Sequence, residues 1–372
     1  MLLTGLRARH SAIMFDVGTA GVRACQVAAR GTALTVRDTL RLELRGSTGQ
    51  EHNDAPPDYS RLARLVGQGG FAGSEVGLVL SPPDVRFYAL RLPKKALAQP
   101  ESRVREALAW EVAREMRADA AALEVRYWPL PPGHQQGLNV MAVALPTERA
   151  LQWHRQLADD RLRLRRLDVA PCALVHLARR MWTPAENELW AVLDLGHRRA
   201  TLTVVLGRVP AYIRSLSTSS DQWTRRLAEA FEVGHEEAER IKRAHGIHPG
   251  ESDARAARAD GVPSSGRDLP SVVFGLLRSS LEELTRAISL CVGYVLQNFA
   301  DVSVGRLVLA GGGANLRGLP QYLAAQLGVP VSLLTSDPQR LSAPWERPLP
   351  GTTVLPESAA ATGAALLDVE GS

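Results

Sequence analysis

The residues whose types and spacing could do chemistry sit in three glycine turns of this 372-residue chain. IMFDVGTAGVRACQVAARGTALTV, residues 13–36, and WAVLDLGHRRATLTVVLGRVPAYI, residues 190–213, follow one plan. Each is a hydrophobic strand ending in Asp-x-Gly, a short turn, a second hydrophobic strand, and a glycine hairpin to a third. Asp16 and Gly18 open the first, and Asp194 and Gly196 open the second. Glycine at such a turn lets backbone N–H groups approach phosphate oxygens, and an aspartate at the strand end can hold a hydrated Mg²⁺ through water. The third turn lies in LVLAGGGANLRGLPQYLAAQLGVPV, residues 307–331. Leu307, Val308 and Leu309 read as a buried strand, and Leu319, Leu323 and Leu327 as one helix face. Gly311, Gly312 and Gly313 stand between them. Such a turn is either a tight strand-to-helix corner or a seat for a nucleotide at the helix N-terminus. One Asp-x-Gly hairpin is common; two of them followed by strand-GGG-helix form a three-part constellation that favours the nucleotide.

The elements that must position these turns alternate between strands and helices, which signals an α/β architecture. Val104, Leu108, Val112 and Met116 are spaced by four and predict a helix after Glu101. Leu277, Leu281, Leu284, Ile288, Val292, Val295 and Phe299 step by three and four, predicting a helix from about Val272 to Phe299. Residues 46–60 and 250–270 are polar, rich in turn formers, and read as loops. RLRLRRL, residues 161–167, reads as a strand with one charged face. Trp110, Trp128, Trp153 and Trp223 fall in amphipathic elements and are expected in the core or at an interface.

Composition removes several function classes. The chain is too long for one ordinary core, so two domains or a large insertion are expected. Cys25, Cys172 and Cys291 have neither metal nor CxxC spacing, which fits a reducing compartment. No stretch of about eighteen residues is free of charge, so no transmembrane helix is expected, and the first fifteen residues are too short and broken for a signal peptide. The net charge is +5, but lysine occurs only at Lys94, Lys95 and Lys242. Arginines are interleaved with glutamates along the whole chain rather than gathered into a patch, which argues against nucleic acid as a partner. His245 and His248 stand in a Gly/Pro turn without a carboxylate cluster, and no nucleophile elbow is present.

The order of the three turns resembles the actin-like ATPase superfamily: first phosphate hairpin, second phosphate hairpin, glycine-rich adenosine loop. Within it the chain resembles the PilM group of type IV pilus assembly proteins over nearly its whole length. The carriers of that resemblance are LVLAGGGANLRGLPQYLAAQLGVPV, the stretch VLDLGHRRATLTVVLGRVPAYIRSLSTSSDQWTRRLAEAFEVGHEEAERIK, and VGLVLSPPDVRFYALRLPKKA with EALAWEVAREM. The last two segments resemble the small inserted subdomain shared with the cell-division protein FtsA. The resemblance implies two similar α/β domains closing on ATP and Mg²⁺. It implies a first domain of residues 11–75, 166–189 and 351–370, an inserted α+β subdomain of 76–165, and a second domain of 190–350. It places Asp16, Gly18, Thr19 and Arg23 on one side of the phosphates, Asp194 and Gly196 on the other, and the three glycines under the adenosine. Mg²⁺ would be held through Asp16 and Asp194. EEAERIK, residues 236–242, nominates Glu239 and Lys242 as bordering the nucleoside.

Three departures touch the phosphates. Arg23 stands where the family usually carries lysine, and its planar fork places donors differently. His197, Arg198 and Arg199 follow Gly196 where small hydroxyl residues are usual. DVAPCAL, residues 168–174, has Ala170 in place of a glutamate, with Asp168 as the nearest carboxylate to replace it. Losing a group that orients water weakens hydrolysis more than binding, so ATP binding with weak or absent hydrolysis is expected. The resemblance implies a cytoplasmic adaptor at the inner membrane that binds the N-terminal segment of a PilN-like membrane protein, contacts pilus motor ATPases and forms a ring of its own copies. The alternatives are a nucleotide-free scaffold resembling the type II secretion protein GspL and, further off, a sugar or acetate kinase.

Overall fold

The computed structural model describes residues 8–31, 33–43, 62–133, 135–248, 269–299, 301–337 and 353–371. The expected loop at 46–60 lies outside these residues, as does that at 250–270 apart from its last two positions, which begin a helix. The first half runs β1 (Arg9–His10), β2 (Ile13–Gly18), β3 (Gly21–Arg30), β4 (Ala33–Glu43), α1 (Leu62–Gln68), β5 (Glu75–Leu80), β6 (Arg86–Leu90), α2 (Lys94–Leu97), α3 (Glu101–Met116), β7 (Leu123–Pro129), β8 (Val140–Pro146), α4 (Thr147–Asp159), β9 (Arg163–Val169) and α5 (Ala170–Met181). The second runs β10 (Glu188–Leu195), β11 (Ala200–Leu206), β12 (Val209–Leu216), α6 (Ser220–Phe231), α7 (His235–His245), α8 (Leu269–Asn298), β13 (Ser303–Ala310), α9 (Leu319–Leu327), β14 (Val331–Leu333) and α10 (Ala359–Glu370).

The two halves repeat one design. In the first sheet the antiparallel β2–β3–β4 meander continues through parallel β5 and β9. In the second, antiparallel β10–β11–β12 continues through parallel β13 and β14. The register places Asp16 opposite Arg23 and Asp194 opposite Thr201, so each aspartate ends the central strand of its sheet beside a hairpin turn. Helices cover these sheets because each crossover helix is apolar along one stripe. In α8, Leu277, Leu281, Leu284, Ile288 and Val295 are buried against the second sheet, as their spacing predicts. In α6 the start is set by a capping box, Ser219 with Gln222.

Between the sheets lies a layer made by α5 and α10. Ala173, Leu174 and Leu177 of α5 and Ala360, Ala361 and Ala364 of α10 pack in one core with Met14 and Val27 from the first sheet and Trp190, Val192 and Val308 from the second. The helices approach closely: a Cβ on Gly363 would run into the Ala173 carbonyl. Small side chains are therefore required where the two helices cross.

The insertion is shorter than the expected 76–165. Glu75–Leu80 pairs with β2 and β9 inside the first sheet, and Trp153 and Leu157 of α4 belong to that domain's core with Ile13 and Phe15. What remains, residues 81–146, carries a separate three-stranded sheet, β6–β8–β7, covered by α3 through Val104, Leu108 and Val112. Trp153 and Trp223 are buried as expected, whereas Trp110 is 67% exposed on the outer face of α3. Arg163 and Arg165 form the charged face expected of β9, both pairing with Glu75 on the adjacent strand. No helix among the described residues is long and apolar enough to cross a membrane.

Candidate functional site

The two hairpins converge. Burial pushes the Asp16 carboxyl up to about 6, with the Arg23 guanidinium opposing it. Burial pushes Asp194 up to about 7, and the Asp16 carboxylate adds to the rise. Two carboxylates from different domains thus lie within each other's field, an arrangement that a bound cation would relieve. Arg23 leans along its hairpin towards the turn: its Nη1 lies 3.1 Å from where a Cβ on Gly21 would stand. Thr19, at the tip of that turn, is exposed.

The glycine turn is seated on the second hairpin. Gly311 has φ +81°, and a Cβ there would lie 2.6 Å from both Asp194 Oδ1 and the Leu195 carbonyl oxygen. A Cβ on Gly313 would meet Leu195, whereas one on Gly312 would face open space. The first and third glycines are therefore demanded by packing against Asp194 and Leu195, and the middle one presents bare backbone to the solvent side. The Gly311 N–H is held by the Pro356 carbonyl at 2.8 Å. Next to it, Glu357 joins the GGG turn to the first domain, accepting from Asn315 Nδ2 at 2.9 Å and from Arg41 Nη1 at 3.0 Å. Sequence reasoning missed this carboxylate because its partners are 316 and 42 positions away.

Of the bulky residues after Gly196, His197 is turned into its own domain, towards Asp221. The Gly196 N–H closes the turn on the Arg199 carbonyl at 2.9 Å, and the Gly196 and His197 carbonyls accept from Ser220 N and Asp221 N at the start of α6. His197 points Nε2 at Asp221, 3.6 Å away, where His235 Nε2 (2.8 Å) and Arg225 Nε (2.9 Å) also converge. No group among the described residues accepts from the backbone N–H of Thr19, Ala20, His197 or Arg198. Four donors at two turn tips are thereby left for an anion or for water.

Glu239 and Lys242 are brought together, but inward. The buried Lys242 ammonium donates to the Ser220 carbonyl (3.0 Å), Ser220 Oγ (2.9 Å) and Thr224 Oγ1 (2.6 Å), and pairs with Glu239 at 2.6 Å. Burial alone would raise the Glu239 carboxyl; Lys242 and hydrogen bonds from Lys242, Thr224 and Arg243 outweigh it and hold the group at about 2. Burial in turn pulls the Lys242 ammonium down, opposed by Glu239. Their charges serve to lock α6 to α7 rather than to line an open pocket. Asp168 is also committed elsewhere: Arg166 grips its Oδ2 at 3.0 Å and the Val169 N–H its Oδ1 at 2.8 Å. It does not stand in for the side chain that Ala170 lacks, and Ala170 itself is buried in the interdomain layer.

No cluster of three or more His, Cys, Asp or Glu among the described residues could hold a metal by itself. Mg²⁺ carried with a nucleotide would keep several waters and need only one or two carboxylates beside phosphate oxygens. Asp16 and Asp194 are the residues that would supply them.

Residues 191–363 match the family model described as cell division protein FtsA. No curated protein matches the sequence. Among solved structures, the PilM-PilN type IV pilus biogenesis complex is similar over 96% of this chain and 98% of its own, with TM-score 0.71 and 23% identity. The chain has the actin-like ATPase fold. Ethanolamine utilization protein EutJ from Carboxydothermus hydrogenoformans shares it over 98% of this chain and 92% of its own, at TM-score 0.50 and 13% identity. The repeated meander puts one aspartate on the central strand of each sheet, and the glycine turn after β13 is seated on the second of them.

Proposed function

We propose that this chain is a nucleotide-binding adaptor of the actin-like class, serving a type IV pilus platform by holding a segment of a PilN-like membrane protein. The observation that carries the nucleotide half is the convergence of Asp16 and Asp194 from matched hairpins, with Gly311 seated on Asp194. Phosphates would lie against the four open turn N–H groups, Mg²⁺ between the carboxylates, and the adenosine over Gly312. The partner half is supported by the shape: a solved structure that matches 96% of the chain at TM-score 0.71 is a PilM-PilN complex. Association with the inner membrane would then come through that partner. The nucleotide acts as a conformational ligand across the α5–α10 layer. With Ala170 apolar and Asp168 bound to Arg166, β9 and α5 offer no other carboxylate among the described residues to orient a water, so weak turnover is expected.

The test is calorimetric titration with Mg-ATP of the wild type, Asp16→Ala and Asp194→Ala. Micromolar binding that disappears in both variants is expected. Saturating nucleotide with no heat and no rise in melting temperature would leave a nucleotide-free scaffold, with function confined to partner binding.

A further inference from the structure

Residues 81–146 leave the first domain's sheet after β5 and rejoin it through α4, yet their far end is fastened to the second domain. Trp128, on β7, donates its indole N–H to the Pro210 carbonyl on β12 at 2.9 Å. The Gln135 N–H donates to the Asn298 carbonyl at the end of α8 at 3.0 Å. One turn earlier in α8, the Tyr294 hydroxyl reaches Gln136 Oε1 at 3.4 Å. Aromatic rings back these bonds on both sides: Tyr212 of β12 packs on Tyr294 with centroids 5.0 Å apart, and Trp128 meets Phe87 edge-on at 6.4 Å.

The contact is not made by a loose arm. Asn139 pins the connecting segment to the insertion's own sheet, exchanging side-chain bonds with the Leu92 backbone at 2.8 and 2.9 Å and accepting from Leu130 N at its carbonyl. At the root of the insertion, Asp84 pairs with Arg149 of α4 at 3.7 Å and lies in the field of Arg199, from the turn of the second hairpin. The insertion therefore touches the second domain at the β12 margin and at the end of α8, while α5 and α10 join the domains through a separate, apolar layer. Few, neutral and partly exposed hydrogen bonds of this kind exchange readily, in contrast to the interlocked packing of α5 on α10.

We infer that residues 81–146 form a strap across the two domains, so that a change in the angle of the cleft must break or shift the Trp128–Pro210 and Gln135–Asn298 bonds and is reported on the insertion's surface. The strap itself does not depend on what fills the cleft; its response to nucleotide rests on the function proposed above.

Hydrogen exchange by mass spectrometry on the full chain tests both parts, comparing wild type with Trp128→Phe, Tyr294→Phe and the double variant. Trp128→Phe keeps the ring against Phe87 and removes only the donor. Without ligand, peptides covering residues 209–216 and 292–299 of the double variant should exchange about tenfold faster than in the wild type, with β8 and α5 unchanged. Equal rates in all variants would overturn the strap. With Mg-ATP, protection of these peptides should change in the wild type and not in the double variant. Heat of binding with no change at these peptides would overturn the reporting role alone. Absence of heat would instead fail the nucleotide reading, and the ligand-free comparison would still decide the strap.

Discussion

The two Asp-x-Gly hairpins share a plan, but the molecule supports them differently. The first turn, Gly18 to Gly21, is open at its tip and backed by β4. A Cβ on Gly18 would make an ordinary contact, 3.6 Å from the Gly21 carbonyl, whereas one on Gly21 would run into the Leu42 carbonyl. The second turn is clamped from two sides. The start of α6 hydrogen-bonds its carbonyls, His197 is drawn to Asp221, and Gly311 and Gly313 press on Asp194 and Leu195. Internal duplication thus yields one hairpin free to adjust and one held by a lysine-centred lock between α6 and α7. The difference comes from distant elements, the start of α6 and the GGG turn, and not from the hairpin sequences themselves.

The largest expected effect comes from breaking that lock. Glu239→Gln leaves the buried Lys242 ammonium without its counter-charge, and should cost about 3–5 kcal/mol in urea unfolding. The same pair has a signature in pH. The folded Glu239 carboxyl is held at about 2 against an ordinary value of 4.5, so its contribution is complete above about pH 4.5 and is lost as pH falls through about 2. Acid unfolding monitored by circular dichroism should therefore show a component in that window that Glu239→Gln lacks. A variant as stable as the wild type would remove the asymmetry between the hairpins.

Gly311→Ala is smaller in stability and larger in function. Its φ of +81° and the 2.6 Å approach to Asp194 should cost about 1–3 kcal/mol and displace the aspartate, weakening Mg-ATP binding in calorimetry. Gly18→Ala is the matched control in the open hairpin, where the added methyl has room. It should change stability by less than about 0.5 kcal/mol. Equal effects of the two substitutions would mean that both turns are held alike.

Much of this was legible in the residue order. The hairpins, the GGG turn and the α3 and α8 stripes were readable because each is a local pattern: period two, period four, or a turn residue at a fixed offset. These patterns by themselves signal an α/β architecture; the actin-like arrangement came through the resemblance carried by the order of the three turns. Partner choice was not legible. The resemblance nominates Lys242 and Glu239 as bordering the nucleoside, and only the docking of α6 reveals them as a pair turned inward. Trp110 sits in a helix whose apolar stripe is covered by β7 and β8, on the side that nothing among the described residues covers.

The sequence by itself determined where the strands end in aspartate and glycine and which helix faces are apolar, because those properties are set within a few residues of backbone geometry. Only the tertiary structure decided that β5 and α4 belong to the first domain and that Asp168 faces Arg166. It alone placed Glu357 between Arg41 and Asn315, and Trp128 on Pro210. These are pairings between residues far apart in the chain, and an apolar strand or a lone carboxylate reads the same whichever distant partner the fold brings to it.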